Sequence, residues 1–163
     1  MAIQSPEYDE ALQLARSEAR GWPRVVFPLL VRAARLGDPR AVYALGTWYL
    51  HGKRPVVERD LPRGTRMLLR AARAGVPDAQ YDIGVSYSRG VGVRESASEA
   101  AAWFRKAARN GDVRAQVALA RCYDDGDGVR ASARWRDFWL ERAAVTGFPQ
   151  ARKWLRELRR QSQ

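Results

Sequence analysis

The sequence predicts an all-α chain: a right-handed α-solenoid of about four helix-turn-helix repeats, with an N-terminal extra helix and a polar C-terminal capping helix. Three observations predict it. An Ala-Ala pair recurs at Ala33-Ala34, Ala71-Ala72, Ala107-Ala108 and Ala143-Ala144, spaced by 38, 36 and 36 residues. A glycine follows each pair at Gly37, Gly75, Gly111 and Gly147 in the same register. Between these marks the apolar residues fall at helical spacing, as in Trp103, Phe104, Ala107 and Ala108.

The units can be taken in order. Residues 5–20 read as the extra helix, stopped by Gly21-Trp22-Pro23. Repeats then fall at about 24–60, 61–96, 97–132 and 133–160, and the whole chain 1–163 is expected to form a single array. In the last three repeats the first helix opens on a capping residue (Asp60, Ser96, Ser132), and in all four it ends at the glycine, which tolerates the left-handed conformation of a helix terminus. Ser96 with Glu99 three residues on has the pattern of a capping box. The second helix starts at once, with Pro39, Pro77 or Pro149 in a first turn where no amide donor is needed. It carries further columns: Ala41, Ala79, Ala115 and Ala151; Leu45, Ile83, Leu119 and Leu155; Tyr49, Tyr87 and Tyr123; Gly52, Gly90 and Gly126. The fourth unit replaces the tyrosine by Arg159 and runs out in polar residues from Arg156 to Gln163, as a terminal unit does when its outer face meets water. The loop from Gly52 to Leu61 contains Pro55 and accounts for the one 38-residue spacing.

At 163 residues, 46% hydrophobic and 29% charged, the chain has the balance of a folded domain and is too short for a large multidomain enzyme. A lone cysteine, Cys122, excludes an internal disulfide. No apolar run reaches the roughly 20 residues of a membrane span, so no membrane insertion is expected. A cytoplasmic location follows, with a periplasmic one as the alternative if a leader has been removed from the given chain. The net charge is +11, and only Lys53, Lys106 and Lys153 of the 29 basic residues are lysine. Such a charge favours acidic partners.

The unit Trp103-Phe104-Arg105-Lys106-Ala107-Ala108-Arg109-Asn110-Gly111, then Ala115, Leu119, Tyr123 and Gly126-Asp127-Gly128-Val129, resembles the Sel-one-like repeat, a relative of the tetratricopeptide repeat. The resemblance covers about Arg24 to Arg160, with Ala120 where a glycine is usual and Pro28 inside the first helix of the first repeat. It implies a non-enzymatic interaction scaffold: an adaptor, a regulator of signalling or secretion, or in bacteria an inhibitor of a toxic effector. No catalytic residues, metal or cofactor are implied.

The residues with chemical potential fit structural roles. His51 stands at a helix end, where a polar or cationic side chain is favoured. Cys122 lies at a similar column in another repeat, too far for a dyad. Asp124, Asp125 and Asp127 lack the spacing and the glutamate of a calcium loop, and Gly90-Val91-Gly92 lacks the Lys-Ser/Thr of a phosphate loop. Trp103 and Trp139 read as core knobs between repeats. What remains is a basic ladder: Arg32, Arg70, Lys106 and Arg142 before each Ala-Ala pair, and Arg35, Arg73 and Arg109 three residues on. Positions i and i+3 share a helix face. The sequence therefore points to a protein, a monomer when free, whose seven cations bind an acidic partner protein, as a bacterial adaptor or an immunity protein. Nucleic-acid binding by the arginine-rich face, or a regulatory scaffold, is the alternative.

Overall fold

The computed structural model describes residues 3–17 and 21–161. Among them are nine helices: α1 (Pro6–Arg16), α2 (Trp22–Arg35), α3 (Pro39–His51), α4 (Leu61–Arg73), α5 (Pro77–Arg89), α6 (Ala97–Arg109), α7 (Val113–Asp125), α8 (Ala133–Val145) and α9 (Pro149–Gln161). No strand occurs among the described residues, only an isolated bridge between Lys53 and Val57. The fold is all-α. The expected extra helix is α1, although residues 18–20 of its expected span lie outside the described residues, and the next helix starts at Trp22, using Pro23 in its first turn rather than waiting for Arg24.

The chain divides into two compact units, Met1–Ile83 with Val91–Arg94, and Gly84–Gly90 with Glu95–Gln163. In the first unit α3 packs on α2 and, more extensively, on α4. The α3–α4 approach is close because both surfaces are glycine there: a Cβ on Gly46 would come within 3.2 Å of the Gly64 carbonyl. Ala33, Ala41, Leu68, Ala71, Ala72, Ala79 and Ile83 are wholly or almost wholly buried. In the second unit α7 packs on α6 and α8, and α8 on α9, around buried Ala107, Ala108, Ala115, Leu119, Ala120, Leu140, Ala143 and Ala151. Alanine recurs in these columns because only a small side chain lets helix backbones meet at this distance without voids.

The turns are built alike. Each glycine after the Ala-Ala pair has φ near +90°, and the amide of the following residue (Asp38, Val76, Asp112, Phe148) donates to the carbonyl of the first alanine at 3.0, 3.1, 3.1 and 3.3 Å. Second-helix side chains then add a second donor to the carbonyl of the second alanine: Gln80 Nε2 donates to Ala72 and Gln116 Nε2 to Ala108, both at 3.3 Å, and Arg152 Nε to Ala144 at 3.1 Å.

Between repeats, the tyrosine column has a second use through its backbone. Tyr49, Tyr87 and Tyr123 accept, on their carbonyl oxygens, the amides of Asp60, Ser96 and Ser132 at 2.8, 2.9 and 2.9 Å. The capping box expected at Ser96 and Glu99 is therefore only half made. Ser96 Oγ accepts the Glu99 amide at 3.3 Å, but the Ser96 amide is already committed to Tyr87. After this bond the turn folds back on its own repeat. Gly128, at φ +68°, lies so close to the Ala97 carbonyl that no side chain fits.

Candidate functional site

Every ladder cation lies in the last turn of a first helix: Arg32 and Arg35 on α2, Arg70 and Arg73 on α4, Lys106 and Arg109 on α6, Arg142 on α8. The helix dipole presents partial negative charge there, so the position is favourable for a cation without any carboxylate. All seven are exposed. Among the described residues, only Arg32 of the seven comes within 4.0 Å of a carboxylate, reaching Glu7 at 3.9 Å. Arg70 Nη2 donates to the Ala34 carbonyl at 3.5 Å, which brings the ladder ends of α2 and α4 together in the first unit. In the second unit Lys106 Nζ sits 5.1 Å from the Trp103 ring centre, and the Arg142 guanidinium 5.7 Å from Phe138 and 5.9 Å from Trp139. None of these contacts is to a carboxylate.

Three arginines outside the ladder are held by carboxylates. Arg40, in the first turn of α3, holds Asp38 at 2.8 Å and Asp9 at 3.2 Å and lies over Tyr8 at 4.4 Å. Arg114 holds Asp112 at 2.7 Å, and Arg136 holds both Asp124 and Asp137 at 2.8 Å. Asp38 is fully buried. It caps α3 through the Arg40 amide at 2.9 Å and accepts the Ser5 amide at 2.9 Å, so it also ties down the start of α1. Burial alone would raise its carboxyl, but hydrogen bonds from the Arg40 side chain and from the Ser5 and Arg40 amides outweigh burial and hold it below its ordinary value.

The remaining candidates carry no chemistry. His51 ends α3 and is exposed; it belongs to the first unit and Cys122 to the second. Burial pushes the Cys122 thiol up to about 11, so it stays protonated at neutral pH. Asp124 is taken by Arg136, and among the described residues no group of three or more His, Cys, Asp or Glu is placed to hold a metal. Trp139 is buried, whereas Trp103 is only half-buried beneath Lys106. Two features escaped the sequence reading. One is the Asp38 clamp, whose signal was an aspartate cap two residues before an arginine, repeated at Asp112 and Arg114. The other is an aromatic group on α8: Trp135 and Phe138 are 46% and 39% exposed at positions held by non-aromatic residues in the other repeats.

A model of the Sel1 repeat matches residues 39–76, 77–112 and 113–134, more than half of the chain. The chain belongs to the Sel1 repeat family. The family unit begins at α3, α5 and α7, one helix later than the pairs described above, and the matched residues run from α3 through α7 to the first residues of α8. Similar solved structures include a Sel1 repeat protein from Oxalobacter formigenes, with 33% identity, a TM-score of 0.82, and coverage of 93% of this chain and 44% of that one. A protective antigen present in uropathogenic Escherichia coli strains, displaying the same repeat fold, has 29% identity, a TM-score of 0.80, and coverage of 86% of this chain and 30% of the other. The chain thus spans less than half the length of either. An immunity protein from Pseudomonas aeruginosa shares the fold at 22% identity, with a TM-score of 0.61 and coverage of 93% and 58%. No curated protein matches this sequence. Sel1 repeats form a protein–protein interaction fold, and proteins built from them are generally non-enzymatic scaffolds. Among the described residues, no helix is long and apolar enough to cross a membrane.

Proposed function

We propose that this Sel1 repeat chain is a non-enzymatic binder that holds an acidic partner protein on Arg32, Arg35, Arg70, Arg73, Lys106, Arg109 and Arg142, and that its role is that of an inhibitor or dedicated adaptor. One observation carries the reading: these seven cations are exposed, recur in one register at the ends of first helices, and six of them have no carboxylate within 4.0 Å among the described residues. An acidic partner would supply the missing counter-charges, steering encounter more than deepening final affinity. The immunity protein of Pseudomonas aeruginosa supports the inhibitor role by analogy of fold. Affinity capture of the tagged chain from its native cells, with and without nuclease, tests the reading. An acidic protein retained after nuclease treatment and released by Arg70→Glu with Arg73→Glu is the expected result. Material that disappears with nuclease would assign the cations to nucleic acid instead.

A further inference from the structure

The turn between α7 and α8 borders a cleft of about 700 Å³ walled by Tyr123 and Trp135, with Arg105 and Arg130 at its edge and the backbone of the turn as its floor. Arg105 Nη2 donates to Tyr123 Oη at 3.4 Å. Trp135 stacks on Tyr123 with ring centres 6.2 Å apart, and Phe138 lies 5.5 Å from Trp135 with its ring plane nearly perpendicular. Phe138 in turn lies beneath Arg142. The result is a continuous aromatic shelf bounded by three guanidinium groups.

The repeat itself does not require this shelf. Counting back from the Ala-Ala pair, the positions of Trp135 and Phe138 hold Val25 and Pro28 on α2, Arg63 and Arg66 on α4, and Glu99 and Ala102 on α6. Leaving two large aromatic surfaces in water opposes folding. The equivalent cleft of the first unit, about 600 Å³ beside Tyr49, shows what the framework alone provides. There Arg63 lies over the tyrosine at 4.1 Å in place of the tryptophan, and Glu58 and Asp60 share the lining with Arg59. In the second unit the cleft has no carboxylate in its lining, and the nearby Asp124 and Asp137 are both held by Arg136.

We propose that the Trp135–Phe138 shelf and its cleft seat an aromatic side chain flanked by carboxylates, within an acidic segment of the protein partner. The aromatic ring stacks on Trp135 and Phe138, and Arg105, Arg130 and Arg142 receive the neighbouring carboxylates. A protein segment is favoured over the stacked bases of a single-stranded nucleic acid because Sel1 repeats form a protein–protein interaction fold. This inference rests on the protein-binding reading above and gives the partner's anchor a chemical identity.

The test uses Trp135→Arg with Phe138→Ala, which installs the residues of the equivalent positions on α4 and α6 and should keep the fold, as a circular dichroism melt will verify. Random 12-residue peptides displayed on phage are selected on the wild-type chain. Enriched peptides should carry Trp, Phe or Tyr next to Asp or Glu and bind the double variant at least tenfold more weakly, despite its added positive charge. They should bind the Arg70→Glu, Arg73→Glu chain about as well as wild type, since those residues lie in the other unit. No enrichment, or peptides indifferent to the shelf substitutions, would overturn the shelf. Peptides lost on the ladder reversal alone would overturn it while leaving the cation reading standing. Binding of oligothymidylate that vanishes with Trp135 and Phe138 would transfer the shelf to nucleic acid.

Discussion

Arginines in the first turn of a helix and arginines in the last turn differ in their partners. Arg40 and Arg114 lie in the first turns of α3 and α7, where the helix dipole disfavours a cation, and each is neutralised by the capping aspartate two residues before it. Arg70, Arg73 and Arg109 lie in the last turns of α4 and α6, where the dipole favours them, and have no carboxylate within 4.0 Å among the described residues. The net charge of +11 is thus not spread evenly in its effect. The capping pairs are matched within one turn, whereas Arg70, Arg73 and Arg109 are exposed to solvent.

The comparison breaks first if burial has been misread. Ala107 is fully buried and Arg109, two residues on along α6, is exposed. Ala107→Glu places an unpaired charge between packed helices and should cost about 3–5 kcal/mol or more, enough to unfold a marginal domain. Arg109→Glu should shift stability by no more than about 0.5 kcal/mol. Thermal melts followed by circular dichroism distinguish them, and equal melting temperatures would contradict the packing.

The paired arginines come next. Asp38→Ala removes a helix cap and leaves both the Ser5 amide and the Arg40 guanidinium short of a partner, for an expected loss of about 2–4 kcal/mol. Asp112→Ala loses a cap and a half-exposed pair only, about 1 kcal/mol. A smaller effect follows from protonation. The Asp38 carboxyl is held below its ordinary value in the folded chain, so its stabilisation is fully present above the unfolded carboxyl range, roughly pH 4, and is lost as the pH falls through the lower folded value. Urea midpoints should therefore fall on acidification with a shallower slope in Asp38→Asn than in wild type. Identical slopes would remove Asp38 from the acid response.

The repeat was legible because its marks are local. A positive-φ glycine, a proline in a first turn and an alanine where helices touch each follow from the backbone at that point, and the same column repeats the evidence. What stayed hidden depends on partners far along the chain. Ser5 and Asp38 each cap the helix that follows them, yet their bond to one another spans 33 residues. The Ser96 amide looked free for Glu99, but Tyr87 takes it. Nothing in the spacing of Trp135 and Phe138 announces that water reaches them. The ladder was legible as a pattern; that its cations lack carboxylates emerged only from the coordinates of the acids.

The central claim is that the unpaired first-helix cations guide an acidic partner, and it can be measured directly. Association rates of the captured partner with wild type, with Arg70→Glu plus Arg73→Glu, and with Arg159→Glu plus Arg160→Glu at the end of α9 should be recorded across a salt series. Both double variants change the net charge equally, so only the location differs. The account predicts that the α4 pair slows association at least tenfold at low salt, with the difference shrinking as screening shortens to roughly 8 Å and below, while the α9 pair has little effect. Equal slowing by the two pairs, or none by the α4 pair, would mean that the ladder is an ordinary solvated helix face.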